Sequence, residues 1–579
     1  MFKEKIAVLL KKHAGISEKE ILSLLEIPPR QELGDFAFPC FVLAPKLKRN
    51  PQDIAAEISG KLQLEIPKEI ERIEAAGAYI NFFVNKTMFV KSVIEKILKE
   101  KEKYGKCNEN KRIVIDYSAP NIGKPMHVGH IRSTILGDSL KKILEFHDNK
   151  VIGINYLGDI GLHIGKLIVA YQKWGNDKQI EKNPEKELLK LYVKFCREEK
   201  LLEEEALSKT IEQEEKEEYL ENEWTKKAKQ MLQKIESGDK ETVAFWKKIE
   251  KYSLNGFLDI YKILNIKFNE ITGQSKFSAL GKKIVEKALA KKIAIKSKDW
   301  EIITKLEPLP DKIILRSDGT ALYATQDLGA ALSRYEKYKF DKMIYVTGSE
   351  QILYFQQLFK ILEKLGYGWA KSLVHLPFGL INLEEGKMSS REGRVIFLHD
   401  IIEKAKELAL KEIEKKNPKL KNKKEVAKDV GLAALKYSIL KLEPIKSITF
   451  SYEHAINFEG DTGPYLQYTH ARACSILKKA KEKGNANFYL MKNPKELELV
   501  SHLGRFPEVA AAAVSQLKPH LIVTYASETA KLFNEFYAAC PVLQAEKGLS
   551  EARIELVKAS KQVLATCLNL IGIKALERM

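Results

Sequence analysis

The sequence predicts a multidomain α/β protein organised around a doubly wound parallel sheet. Three observations lead there. Residues 111–147 read as strand, loop and helix. The β-branched run Ile113, Val114, Ile115 suits a strand buried on both faces, and an apolar stripe at Ile131, Ile135, Leu136, Leu140, Ile143 and Leu144 marks an amphipathic helix. Further strand signals at residues 151–159 (VIGINYLGD) and 342–348 (KMIYVTG) flank a long Lys/Glu-rich stretch. A chain of 579 residues is also too long for one core.

Composition narrows the function classes. At 45% hydrophobic and 30% charged residues, the chain has apolar material for ordinary globular cores. Its net charge of +19 favours a polyanionic partner. Cys40, Cys107, Cys196, Cys474, Cys540 and Cys567 form no CxxC, which argues against a zinc site or a disulfide framework and for a reducing compartment. No apolar run reaches the roughly 18 residues of a membrane span. The basic, amphipathic start carries Glu4 and reads as a helix of the first domain.

The chemistry concentrates where residues 118–125 turn into the helix. His127, Gly129 and His130 fall in its first turn, where free backbone N–H groups and the dipole attract anions. The two imidazoles share a face at i and i+3, and Gly129 leaves space for a flat base. The run SAPNIGKPMHVGHIRSTILGD resembles the signature of class I aminoacyl-tRNA synthetases, and SAPN with KPMHVGH resembles the arginyl-tRNA synthetase version. The resemblance implies a Rossmann-like catalytic domain at 109–400 with a connective helical insertion at about 173–305. It also implies an N-terminal α/β additional domain at 1–108 and an all-α anticodon-binding domain at 401–579.

Along the chain, residues 34–41 (GDFAFPCF) and 76–84 (AGAYINFFV) resemble the additional domain, which in the family contacts the tRNA. Tyr79 and Asn81 lie where its contact residues fall; an exposed Tyr beside an Asn can stack on a base and bond its edge. Residues 158–165 (GDIGLHIG) match the family's GDWGTQFG only in part, so His163 is given no role. Residues 312–332 read as a strand, an SDGT turn, a second strand and a helix entered at Asp327, while Gln351 opens the next helix. Ligands bind at strand exits in such sheets, which places Tyr323, Asp327 and Gln351 at a pocket.

The resemblance makes these three, with Asp116 and Asn121, the arginine ligands. A guanidinium calls for planar carboxylates, with Asp327 first, Tyr323 beside it and Asp116 as the second acid. Asn121 and Gln351 suit the α-ammonium and carboxylate. Residues 386–394 (GKMSSREGR) resemble the KMSKS loop over ATP, with Lys387 and Ser389 retained and Ser390 replacing the second lysine. Two remedies are open: Lys124, just ahead of the histidines, as a substitute cation, and bound tRNA ordering the site, as the resemblance implies. From about Ile401 the chain reads as helical to its end; Tyr465, Tyr468 and Arg472 at helical spacing could meet unpaired bases. Met579 lies where the family brings its chain end to the anticodon.

The implied activity is arginine–tRNA ligase. Its substrates would be L-arginine, ATP with Mg²⁺ and tRNA(Arg), with no zinc; a cytoplasmic monomer is expected. His127 and His130 would hydrogen-bond phosphates while Lys124 and Lys387 oppose the developing charge. The rivals are another class I synthetase, lysine-specific above all, and a tRNA-binding relative without chemistry. The intact HVGH and Lys387 disfavour the second.

Overall fold

Ile113, Val114 and Ile115 lie in the Arg112–Asp116 strand, the centre of a five-stranded sheet. The coordinates are a computed structural model that describes residues 2–28, 30–211, 222–383, 397–480 and 484–579. From edge to edge the strands are Leu373–Phe378, Lys342–Gly348, Arg112–Asp116, Lys150–Leu157 and Glu270–Gly273, every pair parallel. The chain enters at the centre, builds outward, then returns to the other side. This reversal opens a crevice at the strand carboxyl ends, where Asp116 stands in register with Tyr345 and Ile154.

Val114, Ile152, Ile154, Met343, Phe355 and Leu358 share one buried core in this sheet. The signature helix, Val128–Phe146, is pinned to the sheet where Ser133 Oγ donates to Val346 O at 2.8 Å. Arg132, 1% exposed, fastens its other side: Nη1 donates to Gly379 O (2.7 Å) and Leu380 O (3.1 Å), and Nη2 to Pro444 O (2.8 Å) and Lys446 O (2.5 Å). Leu380 O and Pro444 O also accept from the backbone N–H groups of Ile448 and Gly379, so Arg132→Met should strip the donor from Gly379 O and Lys446 O and cost about 3 kcal/mol of stability, read from denaturant unfolding.

Four expectations are corrected. The stretch after Lys312 forms only one strand, Lys312–Leu315, which joins a separate antiparallel sheet with Ala294–Lys296 and Ile302–Thr304. The helix begins at Tyr323, four residues early, because Thr325 Oγ1 accepts the Leu322 N–H at 2.9 Å and so caps that turn. Asp327 is therefore a helix-interior residue. The insertion is also interrupted: between the helices ending at Leu264 and beginning at Ser278, Glu270–Gly273 returns to the main sheet. Finally, the helical run expected from about Ile401 holds one short strand, Ile448–Phe450, which pairs in parallel with Ile381–Leu383.

The chain separates into two compact units. One comprises Met1–Tyr104, Ala473–Phe506 and Lys531–Val563; the other comprises Gly105–Arg472, Pro507–Ala530 and Leu564–Met579. In the first, Phe36–Pro39 and Ile70–Ala76 flank Tyr79–Val84 in an antiparallel sheet. Ile80, Phe82 and Val84 alternate onto the core shared with helices Phe2–Ala14 and Pro51–Gln63.

Candidate active site

Between the central strand and the signature helix the backbone turns through two consecutive left-handed residues, Ser118 (φ 77°) and Ala119 (φ 48°). Such conformations cost energy in non-glycine residues, and local hydrogen bonds offset it here. Ser118 N donates to Ser133 Oγ at 2.9 Å, Ser118 Oγ meets Thr134 Oγ1 and Tyr261 OH, and Ala119 N donates to Asn155 Oδ1 at 3.1 Å. The bend carries residues 121–130 across the strand ends. There Ile122 N donates to Gly158 O and Gly158 N to Pro120 O, each at 3.1 Å. A side chain at Gly158 would collide with the Asn121 amide, so that glycine is what lets Asn121 lie flat on the second strand exit.

His127 is the N-cap of the helix, and its ring is 4.0 Å from that of His130. His127 Nδ1 accepts the Gly129 N–H at 3.1 Å, and His130 Nδ1 accepts the His127 N–H at 3.3 Å. Burial, then the charge of Lys124, pushes the His127 pKa down to about 4. Burial also drives His130 far down, helped by His127 and Lys124. Both rings are thus neutral near pH 7, and with Nδ1 used as an acceptor each proton belongs on Nε2. The pair presents two N–H donors. The space above Gly129 has a different use from the one expected: a Cβ there would lie 2.8 Å from His127 Cε1, so His127's own ring occupies it.

Lys124 stands close enough for its charge to depress His127, His130 and His163. Its Nζ lies 4.5 Å from the Tyr192 ring, which comes from the insertion helix Pro184–Ile211. His163, given no role from sequence, sits at this rim. A Cβ at Gly161 would lie 3.2 Å from His163 Nδ1 and 3.6 Å from the Tyr323 hydroxyl, which places both side chains over the same glycine.

Beneath them is a cluster of buried charge. Asp116 (4% exposed) is ion-paired at 2.8 Å with Arg334 (3% exposed), whose guanidinium lies 4.5 Å from the Tyr156 ring. Asp116 was expected to be a second acid awaiting a substrate; it has a resident guanidinium instead. Asp327 accepts a short hydrogen bond from Tyr354. Burial pushes the Asp327 pKa up to about 6, against the pull of Tyr354 and Arg334 and with the push of Asp116. Gln351 ends the short helix Ser349–Gln351 and caps Ile352–Lys364, at the exit of the neighbouring strand. Lys387, Ser389 and Ser390 lie outside the described residues.

The remaining candidates are scattered. Tyr79 is half-buried, its ring edge-on to Phe41 at 5.7 Å. Asn81 is 5% exposed, because the chain at Gly34 passes over it, so the expected exposed Asn is corrected to a covered one. On the helix Gly463–Lys479, Tyr465 is half-buried; Tyr468 is exposed and accepts from Arg472 Nη2 at 3.1 Å. Asn417 Nδ2 donates to Met579 O at 2.8 Å, and His470 Nδ1 meets Leu576 O at 2.8 Å.

A parallel sheet that reverses at its centre and delivers a donor pair from a helix start to that crevice is the catalytic architecture of class I aminoacyl-tRNA synthetases. Residues 93–452 match the family model for tRNA synthetases class I (R), catalytic domain. Residues 1–84 match that for the arginyl tRNA synthetase N terminal domain, and 466–579 that for the DALR anticodon binding domain. The arginine–tRNA ligases of Clostridium perfringens and Clostridioides difficile are 41% and 40% identical, with all of each chain covered. The Thermus thermophilus arginyl-tRNA synthetase structure superposes at TM-score 0.80 with 26% identity, covering 100% of this chain and 99% of that one. The chain belongs to the arginyl-tRNA synthetase family.

Proposed function

We propose that the protein activates L-arginine with ATP and transfers it to the 3′-terminal ribose of tRNA(Arg). The arginine carboxylate attacks the α-phosphate and pyrophosphate leaves. A ribose hydroxyl of the tRNA then attacks the arginyl carbonyl and AMP leaves. No protein nucleophile is needed. The observation that carries the reading is the charge of the buried cluster: Asp116 and Asp327 against Arg334 leave one negative charge for an incoming guanidinium. Tyr323 and Gln351 at the rim, with Asn121, suit the polar α-substituents. The Nε2–H groups of His127 and His130 serve phosphate oxygens, and Gly129 keeps His127 in place. Lys124, with Lys387, Ser389 and Ser390 of the loop, acts on the same phosphates.

Mg²⁺ would supply further neutralisation of the triphosphate. Among the described residues no group of three or more His, Cys, Asp or Glu could hold an ion. Residues 1–108 and 401–579 would contact tRNA, through Tyr79, Tyr465, Tyr468, Arg472 and Met579, around the catalytic domain at 109–400. Asn81 would back that surface and not touch it. A monomer in the cytoplasm is proposed; all six cysteines are free thiols, as in a reducing compartment. No helix among the described residues is long and apolar enough to cross a membrane.

ATP–pyrophosphate exchange across a panel of amino acids, with and without total tRNA, tests the activity. Arginine alone should support exchange; a response to lysine instead would overturn the specificity. The tail gives a separate expectation. Deleting residues 577–579 removes the Asn417 bond but spares buried Leu576, so tRNA charging should weaken with no change in melting temperature. Unchanged charging would count against the chain end.

A further inference from the structure

Arg334 enters the charge balance of the pocket from a defined place in the fold. It lies seven residues after Asp327 on the helix Tyr323–Tyr338, so the two share a face about 10 Å apart along the axis. Asp327 stands toward the rim and Arg334 toward the floor, reaching Asp116 on the central strand. Among the described residues its buried Nε and Nη2 have no hydrogen-bond partner, and its plane is held by the Tyr156 and Tyr345 rings at 4.5 and 5.9 Å. A structural clamp would use all its donors. This guanidinium uses one edge only, on a carboxylate that would otherwise compete for substrate.

We propose that Arg334 is the permanent counter-ion of Asp116 and thereby a specificity-determining positioning residue, leaving Asp327 alone to receive the substrate guanidinium. The proposal rests on the arginine reading of this pocket. Its content is charge matching: with Asp116 neutralised from within, the pocket accepts one cation. Removing the Asp116 charge would leave Arg334 uncompensated and facing the incoming guanidinium. The pocket would then favour a neutral isostere such as citrulline over arginine.

The test is a charge-compensation series in tRNA-supported exchange, with KM for arginine and ATP, inhibition by citrulline, and melting temperature measured for each variant. Asp116→Asn should raise the arginine KM about tenfold or more with the ATP KM within about twofold, while citrulline inhibition weakens far less. The double variant Asp116→Asn/Arg334→Met restores the original cluster charge and should return the arginine KM to within about threefold of the parent. A double variant no better than Asp116→Asn would overturn the proposal, since Asp116 would then be touching substrate directly. Parallel loss of arginine and citrulline would also overturn it, by showing a structural role. Should Asp116→Asn fail to fold, Arg334→Lys keeps the charge and is expected to hold the arginine KM within about threefold; a folded Arg334→Lys with a tenfold higher KM overturns the proposal. Asp327→Asn separates the two levels. Unchanged arginine kinetics there sinks the pocket reading itself, whereas failed rescue beside a damaged Asp327→Asn enzyme sinks only the role of Arg334.

Discussion

Asp327→Asn is expected to raise the arginine requirement roughly thirtyfold to several-thousandfold, with the ATP requirement nearly unchanged, because a buried cation left half-paired costs on the order of 2–5 kcal/mol. An amide offers one acceptor oxygen where a carboxylate offers two, and its NH₂ would face the guanidinium. Tyr354 already donates to this side chain, so the remaining oxygen is the one that matters. The same carboxyl supplies a pH signature. Its pKa is about 6 in the empty site, raised first by burial, and arginine binds the ionised form. Below about pH 6, kcat/KM for arginine should fall up to tenfold per unit, and Asp327→Asn should abolish that slope. Unaltered arginine kinetics in this variant would show that the pocket is assigned to the wrong acid.

Fold stability over the same range obeys the opposite sign at the histidines. A raised Asp327 contributes stability that is present below its ordinary value of 3.8 and lost as pH rises through about 6. His127 and His163, each lowered to about 4 chiefly by burial, contribute stability present above 6.5 and lost as pH falls through about 4. Below about pH 6 arginine use should therefore fall while the histidines' contribution to stability is already being lost and that of Asp327 is being gained. Arginine kinetics and melting temperatures taken together across pH 4–7 would separate the two.

The architecture was legible wherever periodicity was strong. The β-branched run at residues 113–115 and the apolar stripe of the next helix determine the central strand–loop–helix unit almost alone. The Glu270–Gly273 strand escaped because four residues, EITG, carry no period to read. Tyr323 was assigned to a strand because the Thr325 cap that starts its helix looks like any threonine in a β-rich run. The site was half legible. His127, His130, Asn121 and Asp327 were readable because each stands in a continuous motif. Arg334 could not be found this way: its carboxylate partner is more than two hundred residues earlier, and only the parallel register brings Asp116 beside it. Asn81 failed for a related reason. The resemblance placed it among the tRNA contacts, but a loop from Gly34 covers it.

Lys124→Ala is expected to slow pyrophosphate exchange roughly a hundredfold, about the worth of one charge-assisted contact made in the transition state. In residues 386–394 the sequence keeps Lys387 but has Ser390 in place of a second lysine, so the triphosphate needs another cation. Lys124 is placed to supply it. It depresses both signature histidines, and its Nζ rests 4.5 Å from the Tyr192 ring. That resting place also gives the effect a partner: Tyr192 belongs to the insertion helix, and Tyr192→Leu should reproduce a small part of the loss by releasing the ammonium. Because the site lacks one loop cation, exchange with arginine should also require cognate tRNA to order the phosphates. Rapid exchange without tRNA would overturn that requirement. A Lys124→Ala enzyme of full activity would show instead that Lys387 and Mg²⁺ neutralise the leaving pyrophosphate unaided.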